Sequence, residues 1–265
     1  MKNIYSPLAI ITFLQIAIST AVFAQEPAKV KHAEPLYLDL MRDLGARKGE
    51  AEFNVGYGMT DLKRGKDRNA FIEYEFAPIN RLGLEIEIPV NFSRNAVAHS
   101  TENVEGIKFG GQYTLLVNEK RQLSMAVGYM HEFEWAQVNH NNAYKGMVYA
   151  PFFVAAKNFN AFSTLLYVSP YISQDRLAQR TETTWSINGN IHYMVPNTGH
   201  FIGLENNIEL YQGKVNYVLR PQVKVAVSHQ LAIGLVTGVP IYSETFKMDF
   251  MTRVIWEPNF KKKHS

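Results

Sequence analysis

Glu50-Ala-Glu-Phe-Asn-Val-Gly-Tyr-Gly-Met59 decides the fold. Ala51, Phe53, Val55, Tyr57 and Met59 are apolar; Glu52, Asn54, Gly56 and Gly58 between them are polar or lack a side chain. Successive side chains on a strand point to opposite faces, so this segment has one apolar and one polar face. The pattern returns to the end of the chain in pieces of the length that crosses a bilayer as a tilted strand. Leu82–Phe92 shows it most cleanly, with Leu82, Leu84, Ile86, Ile88, Val90 and Phe92 set against Glu85, Glu87 and Asn91. Similar stretches occur at 70–76, 107–117, 123–133, 185–195, 202–210, 215–225, 231–241 and 248–256. Residues 147–156 and 161–171 are apolar on both faces, which leaves their facing open. The pattern predicts an all-β fold: an antiparallel transmembrane β-barrel of about 12 strands over residues 50–257, set in an outer membrane.

The connections give an independent check. Bacterial barrels have short periplasmic turns and longer outer loops. If the first strand runs outward, polar outer loops are expected at 60–69, 93–106, 134–146 and 172–184. Short turns then fall at 78–81, 118–121, 157–160 and 196–199, and Gln212-Gly213 reads as a tight hairpin tip. With Tyr211 opposite Lys214, register places Glu205 opposite Arg220, both facing the lumen. Tyr57, Phe92, Phe133, Trp135, Trp185 and Tyr217 are expected at the outer rim, and Phe53, Phe76, Tyr193 and Trp256 at the inner, as aromatic girdles.

Residues 1–24 read as a cleaved secretory signal: Lys2, an apolar run from Leu8 to Ile18, and Val22-Phe23-Ala24 before Gln25. Its loss removes one base, leaving a net charge of +2 from the +3 of the whole chain. So even a balance excludes electrostatic nucleic-acid binding. There is no cysteine, hence no disulfide, thiol nucleophile or Cys metal site. Residues 25–49 form a linker and a short helix at 33–46: Pro35 suits a first helical turn, Leu36, Leu40 and Leu44 share a face, and Gly45 is a stop. Too short to be stable alone, it must dock on the periplasmic rim, in the lumen as a plug, or on a partner. Residues 258–265 are a basic tail.

The run HAEPLYLDLMRDLGARKGE (32–50), continuing into AEFNVGYGMTD (51–61) and FIEYEFAPINRLGLEIEIPV (71–90), resembles a Gram-negative outer-membrane family related to transporters of the phenol meta-degradation pathway. The resemblance covers most of the chain after the signal and is specific mainly in residues 32–92. It implies a barrel channel or transporter for small solutes. Glutamine amidotransferase chemistry, which needs a Cys and a nucleotide site, is excluded by the absence of both from the sequence.

Candidate lumen residues are Glu73, Glu75, Glu85, Glu87, Lys108, Glu205, Glu209, Arg220, Lys224, Asp249 and Arg253. Glu73, Glu75, Glu85 and Glu87 lie on one hairpin, and like charges opposite one another destabilise a sheet unless neutralised. They read as a wall paired with Lys108 and Arg253, as a cation-attracting stretch of pore, or as a Ca²⁺ site lacking a loop of ligand spacing. Ser186 and His192 share a strand face but stand too far apart for a nucleophile–base pair, and no GxSxG occurs. His99, His131 and His140 sit near outer loops. No enzyme activity, cofactor or resident metal is expected. The expected partners are outer-membrane lipids, the barrel-insertion machinery and small solutes. The alternative is a non-conducting barrel that presents its outer loops or docks a periplasmic partner.

Overall fold

The computed structural model describes residues 27–258 apart from 39, 63–64, 93–102, 139–140 and 245. The expected signal and the basic tail from 259 on therefore lie outside the described residues, as do His99 and His140.

The alternating segments form one closed antiparallel sheet. Its strands are β1 (Ala51–Leu62), β2 (Gly65–Ile79), β3 (Leu82–Asn91), β4 (Asn103–Val104), β5 (Gly106–Asn118), β6 (Leu123–Val138), β7 (Asn141–Phe159), β8 (Phe162–Asp175), β9 (Arg180–Met194), β10 (Phe201–Tyr211), β11 (Lys214–Ala226), β12 (Leu231–Tyr242) and β13 (Phe246–Trp256). β4 is a two-residue lead-in to β5, so twelve strands make the wall. Each pairs with its neighbour in sequence, and β1 closes on β13 with Phe53 opposite Trp256. Closure leaves no open edge, so the wall's backbone groups are met within it, as a membrane interior requires.

The residue distribution is that of a barrel in lipid. Ile72, Ile86, Ile88, Leu115, Phe153 and Trp185 are exposed on the outside, while Asn54, Glu85, Gln112, Glu205 and Gln222 are buried inside. Ile86 faces out and its neighbour Glu85 faces in, as the alternation predicts. At the end that carries the first and last residues of the wall (the near end), Phe53 stacks on Trp256 with ring centroids 5.5 Å apart and Phe162 meets Tyr193 at 5.4 Å.

Two expectations are corrected. Polar segments expected to be outer loops at 60–69, 134–146 and 172–184 are largely strand where described: β6 runs to Val138, β7 starts at Asn141, and β7 reaches 19 residues, while most of the expected 93–106 loop lies outside the described residues. About 9–11 residues cross a bilayer. Once beyond it both faces are wet, so an antiparallel ladder can continue through polar sequence. The second correction concerns residues 33–46, where the described residues contain no helix. Leu36 packs with Phe201, Ala232 and Ile255 on one side of the barrel. Leu40 and Leu44 pack with Ala126, Phe152 and Val154 on another. The leucines that fit a helical face are divided between two walls.

Candidate functional site

The described residues of 27–49 enter the lumen from the near end, reach its middle and return, forming a plug. Outside regular secondary structure its N–H and C=O groups need other partners, and lumen side chains supply them. On the inward limb, the Ala33 N–H donates to Ser163 Oγ (3.1 Å), and Asn158 Nδ2 donates to the Lys31 carbonyl (2.9 Å). At the tip, the Leu36 N–H donates to Gln222 Oε1 (2.7 Å), and Tyr37 and Leu38 N–H groups donate to the two oxygens of Glu205 (3.0 and 3.2 Å). On the outward limb, the Arg42 N–H donates to Glu75 (2.5 Å), Gln112 donates to the Arg42 carbonyl (3.0 Å), and the Gly45 N–H donates to Thr114 (2.8 Å). Arg42 (φ 69°) and Gly45 (φ 87°) turn the limb through left-handed backbone.

Apolar seats complete the fit. Leu38, Leu40, Met41 and Leu44 lie on the inner face of β6, β7 and β8. This explains why residues 147–156 and 161–171 are apolar on both faces: one meets lipid and the other meets the plug. Wall glycines leave room for it, since a Cβ at Gly83 would lie 1.9 Å from the Met41 carbonyl oxygen and one at Gly234 would lie 2.6 Å from Leu36 Cδ2.

The carboxylates of β2 and β3 stand opposite one another, Glu73 to Glu87 and Glu75 to Glu85. Lys108 lies 3.4 Å from Glu85 and 3.0 Å from Glu87. Arg253 pairs with Glu73 and comes within 3.7 Å of Glu75, while Asn54 donates to both acids. A third cation belongs to the plug: Arg42, 2 % exposed, pairs with Glu52 at 2.7 Å. Oxygens of Glu73, Glu85 and Glu87 come within 4.8 Å of one another, close enough to share a cation. Lys108 and Arg253 already supply positive charge to this group.

The remaining candidates separate along the barrel. Glu205 lies opposite Arg220 in register, with Tyr211 opposite Lys214. Gln212 and Gly213 (φ 47° and 77°) make the two-residue turn that sets this register. The two side chains nevertheless choose other partners. Arg220 pairs with Asp249 at 2.7 Å, donates to Asn207 at 2.9 Å, and lies 3.5 Å from the Tyr37 ring centroid. Glu209 is exposed beyond the tip and accepts from Asn216 at 3.0 Å. Lys224 lines a cavity of about 830 Å³ at the near end, together with Lys31, His32, Glu34 and His200. Ser186 bonds to Asn188, away from His192, and His131 sits among Phe133 and Tyr149 on the outer face.

The base of the plug is held by charge. Lys29 pairs with Asp43 (2.5 Å) and Glu50 (2.7 Å). Burial and neighbouring Asp43 push the Glu34 carboxyl well above its ordinary range, while Lys29, against burial, holds Asp43 well below its own. His32, bonded to Asn158 (2.9 Å) and Ser124 (3.0 Å), is lowered by burial.

Sequence reasoning missed Tyr37 and Arg42 as lumen residues. The excess of inward acids over inward bases on the early strands was a signal that a cation had to come from elsewhere. Nothing in the sequence pointed to Arg42 as that cation.

Solved outer-membrane barrels share this fold. The COG4313 outer membrane channel from Pseudomonas putida F1 aligns at a TM-score of 0.63 and 12% identity, over 83% of this chain and 100% of that one. The KdgM porin aligns at 0.56 and 16%, over 78% and 99%. The NanC porin aligns at 0.56 and 10%, over 78% and 100%. No curated protein matches the chain in sequence. A family model described as HAEPLYID-like matches residues 28–257. Its name spells residues 32–39, with Ile in place of Leu38, and this run includes the plug tip. By this match the chain belongs to the HAEPLYID-like family.

Proposed function

We propose that the protein is an outer-membrane channel for small solutes, closed from the periplasmic side by residues 27–49 of its own chain. The observation that carries this reading is the way the plug is held. Its main chain is bound by side chains of the wall, from Ser163 and Gln222 to Glu205, Glu75 and Thr114. Water can replace each of these bonds when the plug leaves, so release strands few groups. The resemblance of residues 32–92 to transporters, and the fold shared with outer-membrane channels, support the same reading. In it the near end is periplasmic, the 830 Å³ cavity is the inner vestibule, and Glu87, Lys108, Glu209 and Asp249 line the solute's path outside the plug.

The seating of Leu38, Leu40, Met41 and Leu44 on β6–β8 favours a second reading, a permanently filled barrel that serves as an interaction surface. Planar-bilayer recording on the full chain separates the two. Discrete openings are expected of the channel, and bilayers that stay silent despite inserted, heat-modifiable protein would support the filled barrel.

A further inference from the structure

Strand register assembles a compact polar grid on the wall behind the plug tip. Glu205 on β10 stands opposite Asn190 on β9 and Arg220 on β11. One step toward the near end, Gly203 stands opposite His192 and Gln222. All five side chains are buried, none more than 5 % exposed. The bare Gly203 leaves a notch into which the His192 ring leans, edge-on to Phe201 at 4.8 Å.

The tip uses only part of this grid. It gives two N–H groups to Glu205, one to Gln222 and its Tyr37 ring to Arg220. Gln222 donates in turn to Glu205 at 2.7 Å. The Asn190 amide makes no hydrogen bond through either atom, and the ring nitrogens of His192 have only a weak contact with Gln222, whose amide is engaged by the tip and by Glu205. Buried polar side chains in native proteins are nearly all hydrogen-bonded, because one left unpaired forfeits the bonds it made to water. An unpaired amide beside a weakly met imidazole, on the wall whose other groups the tip engages, marks a demand that the plug does not fill.

The missing ligand must donate and accept at Asn190, reach His192 and give Glu205 two adjacent donors. Hydroxyl groups do all three, and a vicinal diol spans a carboxylate as the two N–H groups of the tip do. Charge narrows the class. Arg220 pairs with Asp249, whereas the hydrogen bonds to Glu205 come from neutral donors and Arg220 acts on it only through space. Among the described residues, Glu52, Glu73, Glu75, Glu85 and Glu87 of the neighbouring belt pair with Arg42, Lys108 and Arg253, and so carboxylate-rich a wall opposes an acidic solute. We propose that Asn190, His192, Glu205, Arg220 and Gln222 form a binding site for a neutral polyhydroxylated solute, such as a monosaccharide or cyclitol, and that the plug tip occupies it as a tethered stand-in. This rests on the reading that solutes enter the lumen.

The chain has no cysteine, so Leu36→Cys places a single thiol at the tip. Leu36 is 2 % exposed when docked and its side chain lies outside the grid, so maleimide reports departure of the tip. On the full chain in micelles, myo-inositol or D-glucose should raise the labelling rate saturably, by about threefold or more, because a ligand that takes the tip's place shifts the population. D-Glucuronate and trialanine should leave the rate unchanged. Asn190→Ala with His192→Ala should abolish the response, and the milder Asn190→Ser should weaken it if the double variant fails to fold. The site is overturned if no neutral polyol changes labelling, if the change does not saturate or survives these substitutions, or if glucuronate or trialanine acts as well. Labelling that responds while bilayers stay silent removes the channel and leaves the site. Conduction without a labelling response removes the site alone.

Discussion

Gly83→Ala should eject the plug without altering any polar group of the wall. The added Cβ would lie 1.9 Å from the Met41 carbonyl oxygen and 2.9 Å from Arg42 Cβ, and real Cβ atoms essentially never approach closer than 3.0 Å. The obstacle is backbone, so no rotamer relieves it, and the limb must retreat by about 1.1 Å. Three bonds flank that carbonyl: Arg42 N–H to Glu75 at 2.5 Å, Arg42 Nη1 to Glu52 at 2.7 Å, and Gln112 to the Arg42 carbonyl at 3.0 Å. Lengthened by that much, all pass the range of a useful hydrogen bond. Two involve charged groups, at ~1.5–3 kcal/mol each, and one is neutral, at ~0.5–1.5 kcal/mol. With partial relaxation the docked state should lose about 3–5 kcal/mol, raising the undocked population roughly a hundred- to several-thousand-fold. Single-channel recording should show long openings where the wild type shows rare ones. Gly189→Ala is the control, because its Cβ would meet nothing within 4 Å. Gly83→Ala protein that keeps its heat-modifiable mobility yet records like wild type would refute this account of how the plug is seated.

Ile86→Arg puts a charge on the lipid face and should destabilise the barrel by ~2–4 kcal/mol near mid-bilayer, read as a lower urea midpoint; an unchanged midpoint would show the facing to be wrong. Arg220→Gln or Asp249→Asn alone leaves an unpaired buried charge and should cost ~3–5 kcal/mol, with the double variant falling well short of the sum. Glu205→Gln and Arg220→Gln, which share no hydrogen bond, should couple less strongly than Arg220 and Asp249 in the same urea assay, and coupling as strong as that pair's would mean that they meet after all. Acid should loosen the plug through His32. Burial lowers its pKa, so the docked ring resists a proton that the free one accepts, and docking is present above about 6.5 and lost as pH falls below it. Open probability should then rise at most about tenfold per pH unit below that value, and a response that His32→Gln leaves intact would point to another group.

The wall was legible because its determinant is local. The alternation from Leu82 to Ile88 fixes which side meets lipid, and Gln212-Gly213 fixes the register that sets Glu205 opposite Arg220. Register places backbones, however, and does not choose side-chain partners. Tip N–H groups without regular secondary structure compete for Glu205, and Asp249 on the other side competes for Arg220. The plug itself was open only as one of three docking places, and its form was misread. Leu36, Leu40 and Leu44 have helical spacing, yet that spacing here spans the lumen, with Leu36 on one wall and Leu40 and Leu44 on another. The outer strand extensions were hidden because polar composition reads as loop when both faces of a strand are wet.

The central claim is that solutes pass where the plug now sits, and a reversible lock tests it most directly. Leu36 Cγ lies 3.2 Å from where a Cβ at Gly234 would be, close to the sulfur-to-Cβ span of a disulfide. Leu36→Cys with Gly234→Cys would therefore tether the tip to β12 in a chain with no other thiol. The account predicts a silent barrel when the pair is oxidised and openings in the same bilayer after reduction. Equal conductance in both states would contradict it.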